Sequence, residues 1–198
     1  GQEVTKAACS VGRCHFGAAA SVLARTMECL IRPATSDDCE FLMSFIKEIA
    51  EYHNLLHEVS ISVEDLKADG FSQDPFFKCL MAELPPENPS KPGRPIGYAL
   101  YYKGYCVNHG KMIYLENIYV VPEFRDKGIG KQLLVKVAEG ALAAGCTGMK
   151  FSTMESNQRA KKLYLRLGAQ DTTESLAWHC MEFNKEGLQR LVQGGQVS

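Results

Sequence analysis

The sequence predicts an α/β protein: one mixed sheet with helices before, within and after it. Three observations carry that prediction. Runs rich in β-branched and aromatic residues recur along the chain. Between them lie segments whose apolar residues fall at helical spacing. Capping residues and glycines stand at the joins between the two kinds of segment.

Bulk properties bound the rest. The 198 residues suffice for one substantial core. A net charge of −1 leaves no general footprint for nucleic acid or an anionic membrane. No apolar run approaches the roughly 18 residues of a membrane span. The eight cysteines form no C-x-x-C pair. Cys39, Cys79, Cys146 and Cys180 sit among apolar residues, which predicts small buried hydrophobes in a reducing, cytoplasmic compartment.

Residues 1–26 are rich in small residues and hold a single acid, Glu3. They read as an upstream extension, with a transit peptide as the sharper alternative, and are expected to be poorly ordered. The domain proper is expected over residues 29–198, after a leader of residues 1–28. CLIRPA (29–34) reads as a first short strand. Ser36 and Asp37 are candidates to cap a helix whose apolar face is Phe41, Leu42, Phe45, Ile46, Ile49 and Ala50. SVED (62–65) fits a capping box before a short helix ending at Gly70. FKCLMAE (77–83) reads as a strand. Five prolines between residues 84 and 95 mark a surface connection. PIGYALYYKGY (95–105) reads as a strand paired in a hairpin with the next, across a turn near His109-Gly110.

That next strand, MIYLENIYVV from Met112, is ended by Pro122. EFRDKGIGKQ follows as a glycine-bearing basic loop. Ile129, Leu133, Leu134, Val137, Ala138, Ala141 and Leu142 then share a helix face, closed by Gly145. Strand, basic turn and helix in that order place unpaired backbone N–H groups and the positive end of a helix dipole together, which suits a pyrophosphate. The pattern is neither a P-loop nor a Rossmann fingerprint. TGMKFSTME (147–155) reads as a strand parallel to the central one. Asn157 caps a helix lined by Ala160, Leu163, Tyr164 and Leu167 and ended by Gly168. AWHCMEF (177–183) reads as a further strand, and a last helix spans 185–191.

Four features stand in one order: IRPAT with its helix, YLENIYV, R-D-K-G-I-G, and N-Q-R-A-K-K-L-Y-L-R-L-G-A. Together they resemble the GNAT N-acetyltransferases. IRPATSDDC, DGFSQDPFFKCLMAE, IGYALYY and SNQRAKKLY narrow the resemblance to the diamine acetyltransferase branch, the spermidine/spermine and thialysine N-acetyltransferases, over about residues 29–183. The resemblance implies the GNAT fold, a twisted, mostly antiparallel mixed sheet flanked by helices, and transfer of acetyl from acetyl-CoA to an amine. Ile118, Tyr119 and Val120 would lie along the pantetheine arm. Arg125, Asp126, Lys127, Gly128, Ile129, Gly130 and Lys131 would hold the pyrophosphate. Asn157, Gln158, Arg159 and Ala160 would add cofactor contacts. Tyr164 would face the CoA sulfur as general acid. Tyr52, His53, Glu116, Lys150, Phe151 and Ser152 would border the acceptor. A homodimer is the family's habit.

Several residues carry a plainer reading as well. Glu116 is either a polar residue on a solvated strand face or the group that binds or deprotonates the amine. Tyr164 alone would be a core tyrosine. Asn157 can cap its helix and touch cofactor at once. The acceptor region departs from the polyamine pattern, with His53 and Leu176 where acids are expected and Glu58 and Glu174 nearby. Fewer carboxylates weaken a polycation's grip, so a smaller, thialysine-like amine is expected. A non-catalytic acetyl-CoA-binding protein and a protein N-acetyltransferase are the alternatives. His53, His57, His109 and His179 give no compact metal-ligand spacing, and no oriented Cys–His pair makes Cys106 or Cys146 a nucleophile.

Overall fold

The computed structural model describes residues 27–86, 93–173 and 181–194. Its contacts fall into two units, one ending at Lys150 and the other beginning at Phe151. The first unit holds a five-stranded sheet: β1 (Leu30–Pro33), β2 (Lys78–Leu84), β3 (Arg94–Cys106), β4 (Gly110–Val120) and β5 (Gly148–Lys150). The strands lie in sequence order. The first four are antiparallel neighbours, and β5 runs parallel to β4. This is the mixed, mostly antiparallel sheet that the sequence predicts.

Helices α1 (Cys39–Tyr52) and α2 (Val63–Phe71) pack over one sheet face. Cys39, Leu42, Met43, Phe45 and Leu66 meet Met81, Tyr98, Leu100 and Tyr119 in one cluster. The buried row of α1 is turned away from Phe41, which is 49% exposed, so Cys39 and Met43 take the place expected for it. Ser62 and Asp65 form the predicted capping box of α2. Thr35, rather than Ser36 or Asp37, opens the first helical turn: its backbone N–H donates to the Asp38 carboxylate at 2.7 Å. That carboxylate also takes a two-pronged bond from Arg32, at 2.8 and 2.9 Å. Arg32 Nε reaches Glu83 at 3.0 Å. The IRPAT motif is thus a tie between β1, β2 and the head of α1.

Helix α3 (Ile129–Ala143) contributes the buried row Ile129, Leu133, Leu134, Val137 and Ala141, outside the α1 cluster. Leu142 lies off that row and is 73% exposed, contrary to the sequence expectation. Gly145 ends the helix at φ +74°.

In the second unit are α4 (Gln158–Arg166) and α5 (Lys185–Gly194). Asn157 caps α4 through a bond from the Ala160 N–H at 3.3 Å, and Gly168 follows at φ +96°. Leu167 is exposed rather than lining the helix face. One strand expectation is corrected, and of a second only the last three residues are described. The strand expected over 147–155 is only three residues long, because the polar run after Phe151 has no ladder to join. Of the strand expected over 177–183, residues 177–180, with Trp178 and His179, lie outside the described residues, as do Glu174, Leu176 and Cys180; Met181–Phe183 is irregular.

Candidate active site

Strand β4 is broken in two places that matter for chemistry. Leu100 of β3 pairs with Asn117, and Tyr101 pairs with Leu115, so Glu116 stands between them as the extra residue of a β-bulge. Its side chain is exposed. On the other edge, the parallel ladder runs only from Met112–Gly148 to Tyr114–Lys150. Beyond Tyr114, β4 continues to Val120 with no strand partner on that edge among the described residues. Alternate backbone N–H groups of this stretch are thereby available to an acyl oxygen or an amide-bearing ligand.

The Tyr119 side chain is 4% exposed and packs with Phe45 and Tyr98. Only its backbone remains for a cofactor. Ile118 and Val120 are half-buried on the opposite side of the strand. The Tyr119 phenol donates to the Glu48 carboxylate at 2.5 Å, and Ser44 donates to the other carboxylate oxygen at 3.3 Å. Burial, reinforced by Glu48, pushes the Tyr119 phenol up to about 12.

The loop after β4 begins with a turn at Pro122–Phe124. Asp126 (φ +63°) and Gly128 (φ +81°) are both left-handed, and α3 starts at Ile129. Such alternation gathers backbone N–H groups on one concave side, next to the unpaired N–H groups of a first helical turn. Ile129 is buried and offers its backbone alone. A methyl at Gly130 would meet nothing closer than Val120 Cγ2 at 3.9 Å. Protein packing does not demand a glycine there, and its absent side chain leaves the backbone open to close approach. These residues fit a pyrophosphate.

Arg125 faces elsewhere. Its Nε donates to the Val120 carbonyl at 2.8 Å, and its guanidinium lies over the rings of Tyr119 (5.5 Å) and Tyr52 (5.6 Å). So the structure brings Tyr52, a predicted acceptor residue, to Arg125, a predicted cofactor residue. Tyr52 is 63% exposed and meets the His53 ring edge-on. The Lys127 ammonium sits over Phe124 at 4.8 Å. Lys131 joins Cys29, Ile31, Gly128, Gln132, Val135 and Lys136 around a cleft of about 320 Å³. Lys150 closes β5 with its side chain exposed.

In the second unit, Tyr164 is half-buried with its ring 4.6 Å from that of Phe151. Burial raises its pKa, so the phenol is protonated at neutral pH. Gln158 binds Glu155 through its carbonyl (2.8 Å) and carboxylate (2.9 Å). Lys161 bridges Glu155 and Asp171 at 2.9 and 3.0 Å, fixing both ends of the α4 segment. Ala160 is half-buried, whereas Ser152 and Arg159 are exposed.

Sequence reasoning missed Glu48, Asn117 and Gln132. Glu48 meets its partner 71 positions away and Gln132 meets Met27 105 positions away, so no local pattern marks them. The Asn117 Oδ1 atom is buried with no hydrogen-bond partner among the described residues. Among those residues no three His, Cys, Asp or Glu side chains converge as a metal site, and no helix is long and apolar enough to cross a membrane.

Residues 44–169 match the model of the Acetyltransferase (GNAT) family. The chain belongs to the GNAT acetyltransferase family. As a GNAT protein it is an N-acetyltransferase that uses acetyl-CoA. It is 46% identical over 168 residues to a thialysine N-epsilon-acetyltransferase of Bos taurus, covering 82% of this chain and 96% of that one. It is 34% identical over 158 residues to the human spermidine/spermine N(1)-acetyltransferase-like protein 1, covering 80% of this chain and 23% of that one. These relatives belong to the diamine acetyltransferase branch of the GNAT family. Among solved structures, an integron cassette protein of V. cholerae superposes with a TM-score of 0.64 at 23% identity, covering 84% of this chain and 98% of that one. That likeness speaks for the fold alone.

Proposed function

We propose that this GNAT protein acetylates a small-molecule amine, of the thialysine or di/polyamine kind, by direct attack within a ternary complex. The observation that carries the proposal is Glu116 at the bulge of β4, on the strand whose far edge has no strand partner beyond Tyr114 among the described residues. A bulge re-aims a side chain, and here it sets an exposed carboxylate beside free backbone donors. Acetyl-CoA supplies the activated acetyl thioester. Glu116 binds the ammonium form of the acceptor and takes its proton, directly or through water. Backbone N–H groups of residues 115–120 stabilise the charge that develops on the acyl oxygen. The Tyr164 Oη gives its proton to the departing sulfur, a role that suits a phenol kept protonated by burial. Residues 126–131 hold the pyrophosphate, and Asn157–Ala160 add contacts from α4. Tyr52, His53, Lys150, Phe151 and Ser152 border the acceptor.

The similarity to a thialysine N-epsilon-acetyltransferase supports the smaller amine over a polyamine, as does His53 in place of an acid. We also propose that residues 29–198 act as one acetyltransferase domain, a reading supported by a family match over residues 44–169, which begins in the first unit and ends in the second. The domain works as a cytoplasmic homodimer, in line with the family's habit and with free thiols at all five described cysteines.

The test is CoA release from acetyl-CoA with lysine, thialysine, putrescine, spermidine and a peptide, for the wild type and Tyr164→Phe. Turnover is expected on a small amine, with kcat lowered about 100-fold or more in Tyr164→Phe. In the wild type the alkaline fall in kcat should lie above pH 10, since the Tyr164 pKa is raised from that value. Turnover confined to the peptide, or full activity in Tyr164→Phe, would overturn the proposal.

A further inference from the structure

The loop that carries the two left-handed residues is held from outside itself. Met27, three residues ahead of β1, donates its backbone N–H to the Lys127 carbonyl at 3.0 Å. Lys127 is the residue between Asp126 and Gly128. Gln132, in the first turn of α3, donates its side-chain amide to the Met27 carbonyl at 3.0 Å. The Cys29 thiol reaches the Gln132 side-chain oxygen at 3.7 Å. Three contacts therefore bind the lead-in to β1 across the loop and onto the helix that follows it. The span of sequence between the partners is about 100 residues, so the tie is tertiary, not local.

Asp126 makes the tie consequential. A non-glycine residue in the left-handed region is held there only where its surroundings over-determine the backbone. The Arg125 bond to the Val120 carbonyl fixes the loop at its start. The Met27–Lys127 bond fixes it after Asp126, and Gln132 fixes Met27 in turn.

We propose that Gln132 and the Met27 backbone form a clasp that pre-shapes the 126–130 loop for acetyl-CoA. Gln132 is a positioning residue: it acts on the cofactor through the loop, not by contact. The proposal rests on the assignment of that loop to the cofactor's pyrophosphate. Loss of the clasp lets the loop sample other conformations, and binding then has to select the competent one.

The test uses the full chain and two variants that cut the clasp from opposite sides. Gln132→Leu removes both side-chain bonds at nearly constant volume. Met27→Pro removes the backbone donor. Acetyl-CoA affinity is measured by calorimetry, alongside KM for both substrates and the melting temperature. Each variant should weaken acetyl-CoA binding by roughly fivefold, the equivalent of one net hydrogen bond, with kcat and the amine KM unchanged. Unchanged acetyl-CoA affinity in the variants would overturn the clasp while leaving the assignment of the loop intact. So would a parallel rise in both KM values with a lowered melting temperature, which marks general loosening of the fold. Wild-type protein that fails to bind acetyl-CoA would instead defeat the assignment. If one variant does not fold, the other decides.

Discussion

Arg32 shows how much one side chain of a motif does for the fold rather than for catalysis. It joins two carboxylates that are nearly buried, Asp38 (5% exposed) and Glu83 (6%). Arg32→Met leaves both acids without a counter-charge. It should cost roughly 3 kcal/mol by urea denaturation, the lower end for a buried pair because Arg32 keeps 30% exposure. The bond from Arg32 holds the Asp38 carboxyl below its ordinary value near 3.8. The stabilisation is therefore complete above that value and lost as pH falls through the lower folded-state pKa. Unfolding free energy should decline on acidification below about pH 4, and Asp38→Asn should flatten that decline. The Asn157 cap was legible because an asparagine stands directly ahead of an apolar-periodic helix. Glu48 was not, since its role depends on Tyr119 reaching α1 across 71 residues.

At the scale of elements, the central hairpin and α3 were read almost to the residue. Both carry strong periodic patterns, and their ends are marked by Pro122 and Gly145. The third stretch of the site, β5, was overread. Nine residues were expected over 147–155, yet a strand extends only as far as a neighbour pairs with it. Close approach between strands was equally hidden. A Cβ on Gly97 of β3 would lie 2.5 Å from the Tyr119 carbonyl oxygen and 3.3 Å from Val120 Cα. Gly97→Ala should push β3 away from the end of β4 and cost about 1–3 kcal/mol. Denaturant titration measures this. The same substitution should lower acetyl-CoA affinity, because the displaced segment leads directly into the Arg125–Gly130 loop.

For the molecule as a whole, the thiols report on packing. Cys39, Cys79 and Cys146 are free and at most 8% exposed. Burial also raises the Cys39 and Cys79 thiols above their ordinary range, which withholds the reactive thiolate. Alkylation of the native protein followed by peptide mass mapping should label Cys106 while sparing these three until denaturant is added. Rapid native labelling of Cys39 would contradict the packing of α1 on the sheet. Composition already suggested buried, unpaired cysteines; which of them are covered follows from helix phase and strand register, and neither can be read from single residues.

The bulge at Glu116 makes chain length matter less at that point than elsewhere in the strand. On one side of it, Leu115 stands opposite Tyr101; on the other, Asn117 and Tyr119 stand opposite Leu100 and Tyr98. One added position switches the phase of the strand. Replacing Glu116 by glutamine leaves that phase untouched, so the fold survives and only chemistry is at stake. Deleting the residue would abolish the bulge and let Leu115 and Asn117 follow one another opposite Tyr101 and Leu100, which keeps Asn117 and Tyr119 on their present face and removes only the carboxylate. A deletion scan across 112–120 should therefore find a folded but inactive product at position 116, and a loss of fold where Leu115 or Tyr119, paired and buried, is removed.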